Sequence, residues 1–327
     1  MRILKGSNLV THTSLSGKLV YLSILFIFIS DFMQATLDLM AASPAFFIGF
    51  VFIISLMVGS FLNVLIYRLP VMMERTWQAE IAEYSASQGQ STPNSTKQET
   101  FNLVKPDSTC PKCQHKIRSW ENIPVISWLL LKGKCSQCKN PIAVRYPLVE
   151  LATALLSTWV AWHFGFGLAG FAAVVATWLL IAMTFIDLDT MLLPDQLTLS
   201  LLWLGLLLSI GSPFVSSHDA LIGAAAGYLS LWSLYWAFKL LTGKEGMGYG
   251  DFKLLAALGA WVGWQHLPVV ILLSSFVGAV VGITLLTVQG KDKSQPIPFG
   301  PYLAAAGFLT LLYGDWIVAQ YWQWLGL

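Results

Sequence analysis

The chain has 327 residues, of which 56% are hydrophobic and 11% are charged, whereas ordinary soluble domains contain about 25% charged residues. With 14 Trp residues and a mean hydropathy of +0.65, this composition excludes a soluble globular enzyme, a disordered protein and a collagen-like fibre. The formal net charge of +2 implies no nucleic-acid partner.

Residues 1–43 form an N-terminal extension that has three interpretations. Three basic residues precede the apolar run Leu19–Ser30, which is the pattern of a signal peptide. The same run could instead form an additional helix. Alternatively, translation starts at Met40, directly before the first strong apolar segment.

Eight apolar segments approach the length of about 20 residues that a helix needs to cross a bilayer. They predict an all-α, polytopic membrane bundle of about eight transmembrane helices. Two of the segments, Gln196–Ile210 and Lys253–Trp264, are short. Either the true ends of these helices differ from the predicted ones, or neighbouring helices partly enclose them. Two GxxxG spacings, at Gly223/Gly227 and Gly278/Gly282, favour close helix packing. The eight segments are Pro44–Ile66, Pro147–Phe166, Ala169–Ile186, Gln196–Ile210, Leu221–Leu241, Lys253–Trp264, Leu267–Val288 and Pro301–Tyr321.

The basic residues divide the chain into an insert and a membrane body. Eleven of the 19 Lys and Arg residues lie between Arg68 and Arg145, as do all four cysteines. This insert, residues 67–146, separates the first span, 44–66, from the membrane body, 147–327. Basic residues flank the insert and are absent from the connections on the opposite side, which predicts that the insert is cytoplasmic. Within the insert, Tyr84–Ser108 is rich in polar residues and is predicted to be flexible.

The four cysteines occur as two CxxC pairs, Cys110/Cys113 and Cys135/Cys138. Two such pairs close a tetrahedral shell of four thiolates around Zn²⁺, and this shell leaves no position open for water. The spacing therefore predicts a structural zinc site. Two disulfides or four free thiols are the alternatives, although a reducing cytoplasm disfavours disulfides. The nearby His115 is expected to be a surface residue.

Acidic residues are rare near the predicted spans, so the exceptions are candidates for function. Asp187, Asp189 and Asp195 follow the third span, and Asp251 precedes the sixth, both at the predicted cytoplasmic face. Two carboxylates that share a site can activate a water molecule and polarise a peptide carbonyl, as in an aspartic protease. The same residues could alternatively serve a transporter or proton channel, but a relay would distribute its acids through the membrane.

The choice of the aspartate pair stays open on helix geometry alone. Asp187 and Asp189 point about 200° apart on a helix, so only one of them is expected to face Asp251. The glycines Gly248 and Gly250 would allow a tight turn and the close approach of a substrate strand. A role as helix N-cap is the alternative for Asp251 and the preferred interpretation for Asp195.

Several blocks of sequence, in one order from about Phe47 to Tyr302, resemble the bacterial type IV prepilin peptidases, which are membrane aspartic proteases of the GxGD type. The blocks are Gly59–Pro70, the tetracysteine insert with Asn122–Ser127, Arg145–Glu150, Asp187 with Leu193–Asp195, Gly246–Leu255 and Pro298–Tyr302. The resemblance implies that Asp187 and Asp251 are the catalytic pair. Gly248 and Gly250, whose lack of a side chain would allow a substrate strand to approach, are the candidates for positioning the substrate.

The resemblance implies more about activity than the residues do. Members cleave the leader of type IV prepilins and type II secretion pseudopilins after a Gly, on the cytoplasmic side of the bacterial inner membrane. They then methylate the new N-terminal residue, usually Phe, with S-adenosyl-L-methionine. Four acidic residues, Glu74, Glu80, Glu83 and Glu150, could contact the amine or the cofactor, and the sequence does not choose among them.

Overall fold

A computed structural model describes residues 26, 28–88, 100–289, 297–324 and 326. Among these residues the regular elements are ten α-helices and two short 3-10 turns, which confirms the predicted all-α fold. Each of the eight predicted apolar segments lies largely within a helix. The helices are α1 (28–42), α2 (Pro44–Ser87), α3 (Ile126–Leu130), α4 (Arg145–Phe164), α5 (Leu168–Thr190), α6 (Asp195–Ser209), α7 (Ser217–Thr242), α8 (Tyr249–Val262), α9 (Leu267–Gln289) and α10 (Gly300–Trp324).

Five of these helices are long and apolar enough to cross a membrane, namely α2, α5, α7, α9 and α10. Helix α8 has only 14 residues, and nearly all of them from Asp251 to Val262 are buried among other helices. The neighbours therefore enclose it, as its short length suggested. Helix α6 has 15 residues and buries one stripe of its surface, so it is not enclosed. That all eight helices cross the membrane stays a prediction.

Helix α2 is much longer than the span predicted to end at Ile66. It continues for 44 residues to Ser87, a length of about 66 Å at 1.5 Å per residue, whereas a bilayer core is about 30 Å thick. The helix continues beyond the predicted span because Met, Glu, Ala and Gln follow Pro70, and these residues favour helix. Roughly half of α2 therefore lies beyond the apolar core of the membrane.

The described parts of the segment Tyr84–Ser108 differ from the prediction. Helix α2 includes its start, while residues 89–99 lie outside the described part of the chain. Residues 100–108 are held against α2, because the buried Arg68 guanidinium donates to the carbonyl oxygens of Asn102 (3.0 Å) and Pro106 (2.6 Å). The prediction of flexibility is therefore wrong for this end of the segment.

The helices form two packed groups that meet around α10. In the first group, the indole N–H of Trp178 on α5 donates to Ser55 on α2 and Ser157 on α4. In the second group, α8 packs on α6 and α7, and α10 contacts both α5 and α8. This arrangement brings the end of α5 toward the start of α8.

Both GxxxG spacings serve helix packing, as predicted. A Cβ added at Gly227 on α7 would lie 2.5 Å from the carbonyl oxygen of Leu255 on α8, so only glycine allows this approach. At Gly278 on α9, an added Cβ would lie 3.2 Å from the ring of Tyr302 on α10. Small residues at these positions let the backbones approach closely.

The N-terminal extension is described only in part. Residues 1–25, where a signal peptide would begin, lie outside the described part of the chain. Helix α1 exposes a row of large apolar side chains, including Phe28 and Phe32. Met40, near the end of α1, is buried in the main hydrophobic cluster.

Candidate active site

Asp187 lies one turn before the end of α5 and is only 4% exposed. Helix α5 ends at Thr190, and the next residue, Met191, has a left-handed backbone (φ 55°). The Met191 N–H donates the last hydrogen bond of the helix to the Asp187 carbonyl oxygen. The carboxylate Oδ2 of Asp187 accepts a hydrogen bond of 3.0 Å from the backbone N–H of Gly300, the first residue of α10. Asp187 is therefore fixed by a backbone group far away in the sequence.

Gly300 lies in the block Pro298–Tyr302, but nothing in the sequence indicated that it would contact Asp187. A Cβ added there would lie 2.6 Å from Oδ2 of Asp187. That is closer than a methyl group can approach a carboxylate oxygen. The absence of a side chain at residue 300 is what lets its N–H reach Asp187.

Asp251 is the third residue of α8, so its carboxylate lies in the first turn, where the helix dipole favours negative charge. The N-cap is Gly248, which excludes the alternative that Asp251 caps the helix. Asp251 is 7% exposed, and its Oδ1 is buried with no hydrogen-bond partner among the described residues. A buried carboxylate oxygen without a partner is costly, and such groups are often found at catalytic sites.

The two aspartates lie close enough for their charges to interact. Leu193, in the turn between α5 and α6, lies against Gly250, which precedes Asp251, and against Gly300, which binds Asp187. A Cβ added at Gly250 would lie 2.7 Å from Cβ of Leu193, and one added at Gly300 would lie 3.1 Å from its Cδ1. The loop after α5 thus packs against backbone that adjoins each of the two aspartates.

The glycines before Asp251 do not form the tight turn that we expected. Gly248 has an extended backbone (φ −80°, ψ 150°), and neither Gly248 nor Gly250 has a positive φ. At Gly250 the requirement is space, because Leu193 occupies the position of a side chain. Positioning of substrate by these two glycines stays a prediction.

Asp189 and Asp195 are both paired with basic residues on other helices. Asp189 forms a bidentate ion pair with Arg145 at the start of α4, with an Nη1–Oδ1 distance of 2.8 Å. Asp195 was expected to be an N-cap, but Pro194 takes that position and Asp195 pairs with Lys253 on α8 at 2.6 Å. Asp187 and Asp251 therefore differ from these acids, because neither has a basic partner within the part of the chain that the structure describes.

The four cysteines come together in the insert as the spacing predicts. Their sulfur atoms all lie within 4.8 Å of one another, and the cluster could hold a metal ion. The Sγ atoms of Cys110 and Cys138 are 3.7 Å apart, and those of Cys113 and Cys135 are 3.9 Å apart. These distances exclude disulfides, in which the sulfurs are about 2.05 Å apart. They match the edge of about 3.8 Å that four sulfurs at about 2.3 Å from one Zn²⁺ would form.

The two CxxC turns have the same backbone geometry. In the first, the N–H of Cys110 donates to the carbonyl oxygen of His115, and in the second that of Cys135 donates to Asn140. Both turns contain a residue with positive φ, 58° at Gln114 and 59° at Lys139. Backbone N–H groups of Cys113 and Lys112 lower the pKa of the Cys110 thiol to about 6. Backbone N–H groups likewise lower the pKa of Cys135, whereas burial and the neighbouring cysteine side chains raise the pKa of Cys113 to about 11. The turns therefore favour the thiolate at the first cysteine of each pair, and the thiolate is the form that binds metal.

Glu121 is a further residue of this cluster that sequence reasoning missed. Its Oε2 accepts from the backbone N–H of Arg118 (2.8 Å) and lies 3.2 Å from Nε2 of His115. The hydrogen bond from Arg118 holds the pKa of Glu121 below its usual range. Because His115 follows the first cysteine pair, Glu121 supports the first CxxC turn. His115 is half-buried through this contact, so its expected surface position is wrong.

Glu150 joins the insert to the membrane helices. It is 8% exposed on α4, and its Oε2 accepts a hydrogen bond of 2.7 Å from the backbone N–H of Val125. Val125 has a positive φ of 59°, which is strained for a β-branched residue. Glu150 therefore stabilises the junction between the insert and α4. The other acidic candidates, Glu74, Glu80 and Glu83, are exposed on the part of α2 beyond Pro70.

Two family models match adjacent parts of the chain. The model of the Bacterial Peptidase A24 N-terminal domain matches residues 53–164, which contain the four cysteines and Glu150. The model of the Type IV leader peptidase family matches residues 173–283, which contain Asp187 and Asp251. No solved structure matches the chain.

Similar proteins from several bacteria are called prepilin leader peptidase/N-methyltransferase. The one from Aeromonas salmonicida (strain A449) is 59% identical over 289 residues, which cover 88% of this chain and 98% of the relative. Those from Pseudomonas aeruginosa and Dichelobacter nodosus are 57% and 52% identical, over 89% and 88% of this chain and 98% and 95% of the relatives. The chain therefore belongs to the type IV leader peptidase family.

Proposed function

We propose that the protein is an integral-membrane aspartic endopeptidase that removes the leader of type IV prepilins and type II secretion pseudopilins. Cleavage follows a Gly, and the enzyme then N-methylates the new N-terminal residue, usually Phe. The observation that supports the peptidase activity most directly is the pairing of Asp187 and Asp251 in a member of a leader peptidase family. Both carboxylates are buried and lack a basic partner among the described residues.

The proposed mechanism uses only these two side chains and a water molecule. Two carboxylates in one buried site share a proton, because a second negative charge there is costly. The ionised carboxylate takes a proton from water while the water oxygen attacks the carbonyl carbon of the Gly. The protonated carboxylate meanwhile donates a hydrogen bond to the carbonyl oxygen. Breaking the C–N bond then releases the amine, which takes up a proton from the pair.

Two features of the site support this mechanism. The N–H of Gly300 holds the Asp187 carboxylate in one orientation, and such positioning lowers the barrier to reaction. The Oδ1 of Asp251 has no hydrogen-bond partner among the described residues, which leaves it free for water or for the scissile carbonyl. Because the site is buried, both interactions are stronger than they would be in water.

We also propose that the enzyme lies in the inner membrane with this site at the cytoplasmic face. The support is the distribution of Lys and Arg, which flank the insert and the ends of α7 and α9 but are absent from the connections on the opposite side. The substrate is an apolar helix with a short basic leader, so its cleavage point would lie at the depth of the lipid headgroups.

For the insert, we propose a structural Zn²⁺ bound by Cys110, Cys113, Cys135 and Cys138. The sulfur distances and the hydrogen bonds that favour thiolates support this choice of metal. When bound, the ion would fold a segment that has only a small core of its own. Four cysteine ligands leave no position for a reacting water molecule, so the peptidase chemistry does not need this metal.

Methyl transfer from S-adenosyl-L-methionine is proposed from the shared name of the relatives. The described part of the chain contains no strand, so a Rossmann-type cofactor site has no counterpart there. The cofactor supplies the methyl group when bound. Its transfer would be measured as incorporation of labelled methyl into the cleaved pilin.

Coexpression with a prepilin tests the peptidase proposal. We expect no leader removal in Asp187→Asn and Asp251→Asn, because each lacks one member of the pair. Asp189→Asn is the matched control, since it lies on the same helix but pairs with Arg145, and we expect it to process prepilin. Normal processing by either catalytic variant would contradict the assignment.

A further inference from the structure

A groove opens on the surface of the helix bundle between α7 and α9. Helix α7 packs mainly on α8, and α9 packs mainly on α10, so the two leave a gap. The groove has a volume of about 320 Å³. Its walls include Leu234 on α7 and Ile271, Ser275 and Ala279 on α9.

One end of this groove reaches the backbone around both aspartates. Met247 and Phe299 line that end. Met247 precedes Gly248, the N-cap of the helix that contains Asp251. Phe299 precedes Gly300, whose N–H binds Asp187. A segment lying in the groove would therefore lead directly to the candidate catalytic pair.

The lining of the groove is suited to an apolar helix. Among the described residues its lining contains no charged side chain, and Leu234 is 58% exposed, so the groove is open to the surroundings of the bundle. Ser275, Gly278 and Ala279 form a wall of small residues on α9, which lets another helix approach closely. Ile271 and Ala279 are about 12 Å apart along α9, which corresponds to about two turns of a bound helix.

We propose that this groove binds the apolar helical segment of the substrate and directs the peptide bond at its cytoplasmic end toward Asp187 and Asp251. The proposal rests on the proposed function, because the occupant is the prepilin. An apolar helix in a groove is held by side chains that fit between those of the wall. The basic leader would lie beyond the groove, since none of the described lining residues offers it an opposite charge.

Site-specific photo-crosslinking tests the contact itself. A photoreactive phenylalanine analogue replaces Ala279, in the groove, or Val280, which is 48% exposed and outside it. Both are made in the full chain with Asp251→Asn, so that prepilin stays uncleaved in the membrane. We expect a crosslink from residue 279 to the apolar helix of prepilin and at least about tenfold less from residue 280. Crosslinks to lipid alone at residue 279, or equal yields at both positions, would overturn the proposal.

A second pair of variants tests the consequence for processing. Ala279→Trp fills the groove, whereas Val280→Trp adds the same bulk beside it. We expect prepilin cleavage to slow by at least about tenfold in the first variant and to stay near the wild-type rate in the second. A short peptide that spans the cleavage site without the apolar helix should be cut equally by both, which shows that Asp187 and Asp251 are intact.

These outcomes separate the groove from the peptidase proposal. If the wild type and Ala279→Trp cleave prepilin equally well, the proposed role of the groove is wrong and the peptidase assignment stands. If the wild type leaves prepilin uncut, the peptidase assignment fails, and the groove proposal fails with it.

Discussion

The backbone N–H of Gly300 donates a hydrogen bond of 3.0 Å to Oδ2 of Asp187, although the two residues are 113 positions apart in the chain. The bond links the end of α5 to the start of α10. It orients one carboxylate of the candidate pair with a backbone group, which has little freedom to move. The absence of a side chain at residue 300 makes this contact feasible.

We expect Gly300→Ala to reduce prepilin processing by at least about tenfold. The added methyl would lie 2.6 Å from Oδ2 of Asp187, so α10 or the carboxylate must shift. Overpacking of this kind typically costs about 1–3 kcal/mol. Gly49→Ala is the control, because a Cβ there meets nothing within 4 Å. Processing rates in membranes with equal amounts of enzyme would measure the effect, and a wild-type rate for Gly300→Ala would contradict it.

Asp189→Asn should weaken the contact between α5 and α4 without stopping catalysis. The change breaks the bidentate pair with Arg145, but both side chains are about 40% exposed, at 36% and 44%, so solvent already screens the interaction. We expect a loss of at most about 1 kcal/mol in the free energy of unfolding. Thermal unfolding in detergent measures the change. Complete loss of processing in a folded Asp189→Asn protein would assign Asp189 a role in the reaction.

The purified protein should contain about one zinc ion per chain, as the four-thiolate cluster implies. Cys110→Ser and Cys135→Ser should each lose most of this zinc, because each removes one ligand from a closed shell. Gln137→Ala lies in the same turn as Cys135 but exposes its side chain to solvent, so it should retain the metal. Elemental analysis provides the measurement, and full zinc content in both cysteine variants would rule out the site.

Glu150→Leu should loosen the junction between the insert and the membrane helices. The change removes the acceptor for the Val125 N–H, and leaving a buried donor without a partner costs about 1–3 kcal/mol. Glu150→Gln retains an oxygen acceptor and should have a smaller effect. We expect faster amide hydrogen exchange around Val125 in the leucine variant.

Glu80→Gln, on the exposed end of α2, serves as the control for this junction and should exchange like the wild type. Unchanged exchange around Val125 in Glu150→Leu would show that Glu150 does not hold the insert. Loss of methyl transfer in Glu150→Gln with normal exchange would instead implicate the carboxylate in that reaction.

Local patterns in the sequence were enough to predict much of this protein. Runs of apolar residues determine where helices can lie in a membrane, because each span is a property of about 20 consecutive residues. A CxxC pair similarly contains its own turn, so the spacing of Cys110, Cys113, Cys135 and Cys138 predicted the cluster that forms. The polar insert was recognisable because 11 of the 19 Lys and Arg residues lie within one segment of the chain. These features depend on neighbours along the chain.

The packing of the helices decided what the sequence could not. Helical geometry indicated that only one of Asp187 and Asp189 would face Asp251, and the structure buries Asp187 while Arg145 pairs with Asp189. The same packing gave Asp195 a partner in Lys253.

The contact between Gly300 and Asp187 shows why this difference arises. A glycine before Pro301 has no local property that marks it as a partner for a carboxylate. Its N–H reaches Asp187 only because α10 packs against both α5 and α8. Contacts of this kind depend on how distant helices approach one another in space, so the tertiary structure alone determines them.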